Sequence, residues 1–403
     1  MTSGNRSAGK PADQLGFNDI GLAFSQVDQK LSSDLSYAAP AEPQSSYVQE
    51  VQEVVRPYVL FRGDALTAYR SWPTPATIIS DGAYGLGGFH GDPRTPERLE
   101  EWYRPHVENW SERAHPSTTL WFWNSEIGWA TVHPLLLEHG WEYVQAIVWD
   151  KGIGHIAGNV NGETIRQFPV VTELCVFYRR RLALRAGQGT ILHAREWLRH
   201  EWRRARLPLA LANEACGVRN AATRKYLTQD WLWYFPPPDM MARLVAYANE
   251  HGDPGGVPYY SLDGHRPVTG EEWARLRHSW QHMHGVTNVW SHPPLAGTER
   301  LRGNGRRAAP RVYKPTRYST VHLNQKPLLF MERILAACTL PGDAVWEPFG
   351  GLCSASAAAV RMDRRAFSAE IDRDFAERAA TRLREAALAR ESETDTDDRI
   401  ISA

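Results

Sequence analysis

The chain has 403 residues, with 46 Lys and Arg against 46 Asp and Glu, so its formal net charge at pH 7 is zero. At this length we expect more than one structural unit, and a hydrophobic content of 42% can fill a sizeable core. The four cysteines (Cys175, Cys216, Cys338 and Cys353) form no metal-type pair and no evident disulfide framework. No apolar run approaches the roughly 20 residues of a membrane span, so we expect a cytoplasmic protein without a membrane partner or metal.

A polar leader and two short strands are predicted at the start of the chain. Residues 1–47 are rich in Ser, Ala, Pro, Gln and Gly, a composition typical of disorder. Tyr58 to Phe61 is predicted to form a strand, which ends at Arg62-Gly63-Asp64. A second, β-branched strand begins at Thr77 and leads into Asp81-Gly-Ala-Tyr84 and a run of glycines.

Helices and strands then alternate. The pattern predicts a helix from Pro96 toward Ser111, a strand from Thr118 to Asn124, a helix around Val132 to His139, and strands from Val144 to Trp149 and from Thr172 to Tyr178. Such alternation predicts an α/β fold with a mostly parallel sheet. The pattern resumes only near Thr320, which makes residues 182–317 an insertion.

The insertion is basic at its start. Between Arg179 and Lys225 there are eleven Arg and one Lys against three Glu, a net charge of +9. This segment suits contact with phosphates, and an ordinary solvated face is the equal alternative.

Within the insertion, residues 207–228 have the pattern helix, turn at Gly217, helix. This pattern resembles a helix-turn-helix, which would offer Asn220, Thr223, Arg224 and Lys225 to a DNA major groove. A helical hairpin packed on its neighbours is the structural alternative. Residues 230–235 are expected to cap this unit as core.

The end of the chain predicts a nucleotide-type cradle. A buried strand ends at Val345-Trp346, and Glu347-Pro-Phe-Gly-Gly-Leu-Cys-Ser354 leads from it into a helix of small residues. Glycines in such a turn let the backbone approach a ligand at the helix N-terminus. The next strand ends on Glu370, roughly 20 residues on, where a carboxylate would hold a ribose diol. A charged helix from Phe375 to Arg390 and an acidic tail, residues 389–403, are predicted to follow.

Three segments together resemble one family. Asp81-Gly-Ala-Tyr84, then His322-Leu-Asn-Gln-Lys-Pro327, then the turn at 347–354 follow the motif order of amino-methylating DNA methyltransferases. The family patterns are Asp/Asn/Ser-Pro-Pro-Tyr, His-Pro-x-Gln-Lys-Pro and Asp-Pro-Phe-x-Gly-x-Gly-Thr. The departures of this chain from these patterns include Gly82, Ala83, Leu323, Glu347 and Cys353.

The resemblance implies a Rossmann-like methyltransferase sheet with circularly permuted motif order and a mainly helical inserted DNA-recognition region. Residues 48–181 would form its catalytic half and 318–388 its cofactor-binding half. The implied cofactor is S-adenosyl-L-methionine. Implied catalytic residues are Asp81, Gly82 and Tyr84, with Tyr84 stacked on a flipped base. The implied cofactor-binding residues are Asp64, His322, Asn324, Lys326, Glu347, Phe349, Gly350, Gly351 and Glu370. Glu173 and Lys151 match weaker family positions and equally fit a structural ion pair.

The resemblance therefore predicts a sequence-specific DNA methyltransferase, restriction-modification-like, acting on adenine N6 in preference to cytosine N4. Two alternatives stay open: a DNA-binding regulator with weakened catalysis, and a methyltransferase acting on RNA or a protein amide. Expected partners are double-stranded DNA and a cognate restriction endonuclease, and the chain would act as a monomer or homodimer.

Overall fold

The fold is built on one large sheet whose strands come from both ends of the chain. The computed structural model describes residues 57–87, 89, 91–155, 163–186, 189–296, 299–303, 319–320 and 325–401, so the predicted leader, residues 1–47, lies outside the described residues. The strands are β1 (Tyr58–Arg62), β2 (Thr77–Ser80), β3 (Thr119–Asn124), β4 (Trp141–Asp150), β5 (Thr172–Arg180), β6 (Ala183–Arg185), β7 (Ile191–His193), β8 (Val289–Ser291), β9 (Arg302–Gly303), β10 (Ser319–Thr320), β11 (Ala344–Glu347) and β12 (Arg365–Glu370).

Helices fill most of the connections between these strands. They are α1 (Ala65–Ala68), α2 (Leu99–Arg113), α3 (Glu126–Glu138), α4 (Ala194–Arg204), α5 (Leu211–Ala215), α6 (Pro238–His251), α7 (Gly270–Arg275), α8 (Leu328–Cys338), α9 (Ser354–Arg361) and α10 (Arg373–Ile401). None of these described helices combines the length and apolar character that crossing a bilayer demands.

The large sheet has the strand order β1-β12-β11-β2-β3-β5-β4-β8. In this order, each of the first five strands, β1, β12, β11, β2 and β3, is parallel to its neighbour. Strand β4 is parallel to β8, whereas β5 is antiparallel to both β3 and β4. The predicted α/β fold with a mostly parallel sheet is therefore confirmed. Because parallel strands end at the same edge, the turns that follow β1, β2, β11 and β12 meet there.

Helices cover both faces of the sheet. Successive residues of a strand point to opposite faces, so Trp121 and Trp123 of β3 enter the core under α8, α9 and α10. Leu120 and Phe122 enter the core under α1, α2 and α3. All of β3 is buried, which explains why its sequence is a continuous apolar run without alternation.

The insertion predicted at 182–317 has a core of its own. Trp197 and Trp202 of α4 and Trp273 of α7 are fully buried there, together with residues of α6. The chain returns to the large sheet earlier than predicted, because β8 pairs with β4. A strand of three residues is too short to show a hydrophobic period, so the sequence did not reveal it.

The C-terminal helix is longer than predicted. It continues through the acidic tail to Ile401, whereas a separate tail was expected from residue 389. No Gly or Pro interrupts residues 373–401, so the sequence contains no strong stop signal for the helix.

The four cysteines are buried free thiols.

Candidate active site

The turns at the carboxyl edge of the sheet surround one cavity of about 1220 Å³. Asp81 and Gly82, in the turn after β2, line this cavity. Gly350 and Gly351, in the turn after β11, line it as well, as does Glu370 at the end of β12. The acid from the start of the chain and the glycine turn from its end therefore face the same space.

The buried carboxylate of Glu347 stabilises the helix N-terminus that follows the glycine turn. Glu347 accepts hydrogen bonds from the backbone N–H groups of Ala355 and Ser356 at 3.0 and 2.7 Å, and so caps the N-terminus of α9. Burial raises the pKa of Glu347 to about 7.

The backbone of this turn passes twice through the left-handed region, where glycine rests without strain. Gly351 has a φ of +51° and Cys353 a φ of +54°. Cys353 thus keeps a conformation that suits glycine, at the position where the family pattern has its second glycine.

Glu370 faces the glycine turn from the neighbouring strand. Its two carboxylate oxygens accept the backbone N–H groups of Gly351 at 2.6 Å and Asp372 at 2.7 Å. Burial raises the pKa of Glu370 to about 7. Each oxygen retains a second lone pair, so the carboxylate can still accept the hydroxyls of a bound diol.

The turn after β2 lacks the two prolines of the family pattern and is instead fixed by contacts with side chains of other elements. A Cβ added to Gly82 would lie 2.6 Å from the ring of Phe349 and 2.7 Å from the hydroxyl of Tyr103. The carbonyl of Ala83 accepts hydrogen bonds from the Tyr103 hydroxyl at 3.1 Å and from the Asn124 amide at 2.8 Å. Glycine at position 82 therefore makes room for the aromatic side chain of Phe349 in the glycine turn.

Asp92, which the sequence analysis missed, clamps the next part of this loop. Its carboxylate accepts the consecutive N–H groups of Tyr84, Gly85 and Leu86 at 3.2, 2.9 and 3.3 Å. Asp92 is 9% exposed and lines the cavity. The available signal was a lone acid after a glycine-rich run, since such a run leaves backbone donors that need an acceptor.

Asp81 lies in a network of opposite charges. The ammonium of Lys326 is 2.7 and 2.8 Å from the two oxygens of Asp81 and 2.9 Å from Oε1 of Glu173. The Tyr84 hydroxyl is 2.9 Å from Asp81 Oδ1 and 2.5 Å from Glu173 Oε1. Because this hydroxyl has one proton, it can donate to only one of the two carboxylates at a time. Lys151 pairs with the other oxygen of Glu173 at 2.7 Å.

Burial and neighbouring charges act in opposite directions in this network. Burial raises the pKa of Asp81, and the nearby Lys326 offsets only part of that rise. Burial also works to raise the pKa of Glu173, but two ammonium groups hold it below its usual value. Burial disfavours the charged form of Lys326, yet the two carboxylates raise its pKa above its usual value. Glu173 and Lys326 are therefore both charged at neutral pH.

Two predicted residues have contacts that the sequence analysis did not foresee. Tyr84 was predicted to stack on a base, but it is only 9% exposed and its hydroxyl is held in the network. Lys326 was predicted among the cofactor-binding residues. It lines the cavity, but its ammonium contacts Asp81, Glu173 and Tyr84. The physical reason is that a buried ammonium requires opposite charges close by.

The remaining predicted cofactor-binding residues divide into three groups. Asp64 lines the cavity and caps α1 by accepting the N–H of Leu66 at 2.9 Å. Phe349 also lines the cavity. His322 and Asn324 lie outside the described residues.

Two aromatic residues of α2 complete the wall around Phe349, and the sequence analysis did not single them out. The ring centres of Trp102 and His106 lie 5.1 and 4.8 Å from that of Phe349. Burial lowers the pKa of His106 to about 4, so its imidazole is neutral at pH 7. Their four-residue spacing on a helix was the available signal.

The predicted helix-turn-helix is only partly formed. Helix α5 is followed by a turn at Gly217, but the second element is a six-residue π-helical turn, Thr223–Thr228. Asn220 and Arg224 are exposed. The hydroxyl of Thr223 donates to the Leu209 carbonyl at 2.7 Å. The ammonium of Lys225 lies 5.0 Å from the centre of the Tyr234 ring.

The prediction that residues 230–235 are core was only partly right: Trp233 and Phe235 are partly buried against the core of the insertion, whereas two other aromatic residues are exposed. Trp231 is 78% exposed and Tyr234 is 42% exposed. The reason is local charge: Asp230 pairs with Arg199 at 2.7 Å, which holds this turn at the surface of the insertion. The exposed ring of Tyr234 consequently lies beside the ammonium of Lys225.

Comparison with known proteins identified one family model and several similar structures. The family model N6_N4_Mtase, described as DNA methylase, matches residues 76–381. The chain is similar to M1.HpyAVI in its complex with SAM, at 13% identity and a TM-score of 0.42, over 81% of this chain and 98% of that one. It is similar to the cytosine-N4-specific PvuII DNA methyltransferase, at 12% identity and a TM-score of 0.43, over 86% of this chain and 93% of that one. It is also similar to TTHA0409 of Thermus thermophilus, at 14% identity and a TM-score of 0.41, over 82% of this chain and 94% of that one.

Proposed function

The chain belongs to the DNA methylase family of N6 and N4 amino-methyltransferases, and we propose that it transfers a methyl group from S-adenosyl-L-methionine to the exocyclic amine of a flipped base in double-stranded DNA. One observation carries this proposal: Asp81 and the glycine turn line one cavity of about 1220 Å³. Pockets for a single small ligand usually measure about 300–1,000 Å³. The cavity therefore has room for a cofactor and a base together.

The residues around the glycine turn fit this cofactor. Glu370 would accept the ribose hydroxyls, and Gly350 and Gly351 leave the backbone open to the ligand. Phe349 and Asp64 would face the rest of the nucleoside. When bound, S-adenosyl-L-methionine would supply a methyl group on a sulfonium sulfur. As the amine nitrogen formed its bond to that methyl, the carbon–sulfur bond would break to leave a thioether, and the nitrogen would then lose one proton to water.

Asp81 would act on the target amine. The lone pair of an exocyclic amine is delocalised into the ring, so the nitrogen is a poor nucleophile. A carboxylate that accepts one of its N–H groups favours a pyramidal nitrogen and stabilises the positive charge that develops there. The carbonyl of Ala83 already accepts two hydrogen bonds, so the carbonyl of Gly82 is the one we assign to the second N–H.

Duplex DNA and adenine N6 are the finer parts of the proposal. The net charge of +9 between Arg179 and Lys225 and the exposed Arg224 and Trp231 support a phosphate-bearing partner. Adenine N6 is favoured because aspartate at the first motif position is commoner in the adenine enzymes of the family. The target base must leave the duplex, at a cost of a few kcal/mol.

Labelled S-adenosyl-L-methionine incubated with mixed duplex DNA tests the proposal. We expect label in N6-methyladenine or N4-methylcytosine with the natural chain, and none with Asp81→Ala. The Asp81→Ala variant should still bind the cofactor, whereas Glu370→Ala should bind it more weakly. Label found only in RNA or protein would contradict the DNA assignment. DNA binding without any transfer would favour a regulator.

A further inference from the structure

Lys326 lies between two carboxylates, only one of which has a part in the proposed transfer. Its ammonium is 2.7 Å from Asp81 and 2.9 Å from Glu173, and Lys326 is 2% exposed. Glu173 is 8% exposed, so water screens this arrangement weakly. A buried lysine this close to Asp81 poses a problem for catalysis, because it neutralises the carboxylate that the amine needs.

Glu173 offsets the neutralisation of Asp81 by Lys326, because it adds a second negative charge beside the ammonium. Asp81 and Lys326 alone sum to zero, and such a pair offers little stabilisation to a nitrogen that becomes positive. With Glu173 added, these three groups carry one net negative charge. Lys151 pairs with the other oxygen of Glu173 and is 16% exposed, so water screens its charge from Asp81. Resting on the proposed function, we infer that Glu173 is a positioning residue for methyl transfer: by sharing Lys326, it leaves Asp81 with an effective negative charge toward the target amine.

The other ionisable groups around Asp81 do not supply this charge. Burial raises the pKa values of Tyr84, Tyr103 and Cys175, so all three are neutral at pH 7. His155 interacts with Lys151 and Glu173, and burial lowers its pKa, so it is neutral as well.

Two further charged groups lie at the border of the network. The carboxylate of Asp92 accepts the backbone N–H groups of Tyr84 and Gly85. Lys151 pairs with the outer oxygen of Glu173, and its side chain is 16% exposed. Lys151 therefore anchors Glu173 in place from the solvent side.

A purely structural ion pair is the competing explanation, and a pair of substitutions separates the two. Glu173→Gln leaves Asp81 and Lys326 as a neutral pair, and Lys326→Met leaves two carboxylates with a net charge of −2. The double variant has Asp81 alone and restores the net charge of −1. Charge balance predicts that the double variant is more active than Glu173→Gln, whereas a structural role predicts that the two losses add.

The test measures single-turnover methyl transfer to duplex DNA, together with the affinity for S-adenosyl-L-methionine and the melting temperature. We expect Glu173→Gln to lower the transfer rate about 10²-fold, as loss of one preorganised electrostatic partner does. Its cofactor affinity should change by less than about threefold. The acidic limb of its pH–rate profile should move to lower pH, because Glu173 raises the pKa of Asp81. The double variant should recover at least about tenfold over Glu173→Gln.

Glu173→Asp keeps the negative charge at this position. It therefore still tests the inference if the double variant does not fold. It should retain a rate within about tenfold of the natural chain and an unmoved acidic limb. An unchanged rate in Glu173→Gln, an unmoved acidic limb in Glu173→Gln, or a double variant slower than both single ones would overturn the inference. Absence of transfer by the natural chain would instead overturn the proposed function.

Discussion

Gly82 is the residue at which the turn after β2 touches the glycine turn after β11. Gly82→Ala would place a Cβ 2.6 Å from the ring of Phe349, so that ring has to move. We expect a loss of about 1–3 kcal/mol in the free energy of unfolding, as for other overpacked sites, and a weaker affinity for S-adenosyl-L-methionine.

Denaturant unfolding and cofactor titration measure both effects. Gly256→Ala is the matched control, because an added Cβ there meets no atom within 4 Å. Equal stability of the two variants would show that Phe349 yields without cost.

Glu370 is the residue from which we expect cofactor binding to depend on pH. Burial raises the pKa of this carboxyl to about 7, so it gains a proton as the pH falls through neutrality. A protonated carboxyl accepts ribose hydroxyls poorly, and we expect the dissociation constant of S-adenosyl-L-methionine to rise between pH 8 and pH 6. The limit is about tenfold for each pH unit below the pKa.

Calorimetric titration across this range checks the dependence. Glu370→Gln should bind weakly at pH 8 and lose most of the slope. Glu101→Gln, a change at another carboxylate of the cavity wall, should keep the slope. A slope that persists in Glu370→Gln would assign the titration to another group.

At the level of elements, the loop after β2 depends on one clamp. Asp92 accepts three consecutive N–H groups, from residues 84–86, and so fixes the loop that carries Tyr84 next to Asp81. We expect Asp92→Ala to lower the single-turnover rate about 10–100-fold, because small displacements of reacting groups are costly.

Hydrogen exchange of the amides at 84–86 should speed up in Asp92→Ala. Asp263→Ala is a suitable control, since Asp263 also accepts two backbone N–H groups, but in an exposed turn of the insertion. A normal rate with fast exchange at 84–86 would separate loop order from catalysis.

The insertion supplies the second prediction at this level. Replacing both Arg224 and Lys225 with Ala should weaken binding to duplex DNA. The slope of log affinity against log salt should fall by about 0.9 for each phosphate that the protein no longer neutralises. Arg384→Ala, an exposed change on α10, should leave the slope unaltered. Equal slopes for all variants would make residues 207–228 a structural hairpin.

Across the whole molecule, the sequence predicted the features that depend on the hydrophobic period and on turn residues such as glycine. Apolar runs and turn residues predicted most strands of the sheet and its mostly parallel order, and the family resemblance placed Asp81 and the glycine turn in one site. The sequence did not predict contacts between distant side chains, such as Lys326 with Glu173 or Gly82 with Phe349. Such contacts depend on how the elements pack together, and the spacing of residues within one segment does not indicate them.

The short elements were missed for a related reason. Strand β8 has three residues, so no alternation can be detected, and the exposed Trp231 looks like core because apolar residues surround it in the sequence. Pairing with β4 and the ion pairs of Asp230 decide both outcomes.

The proposed methyl transfer requires Asp81 to act on a DNA base across the shared cavity. Nucleoside mass spectrometry of DNA from a host lacking its own methyltransferases, expressing either the natural chain or Asp81→Asn, tests this directly. We predict N6-methyladenine, or failing that N4-methylcytosine, with the natural chain and neither base with the variant. Equal amounts of methylated base in both hosts, or none in either with folded protein present, would contradict it.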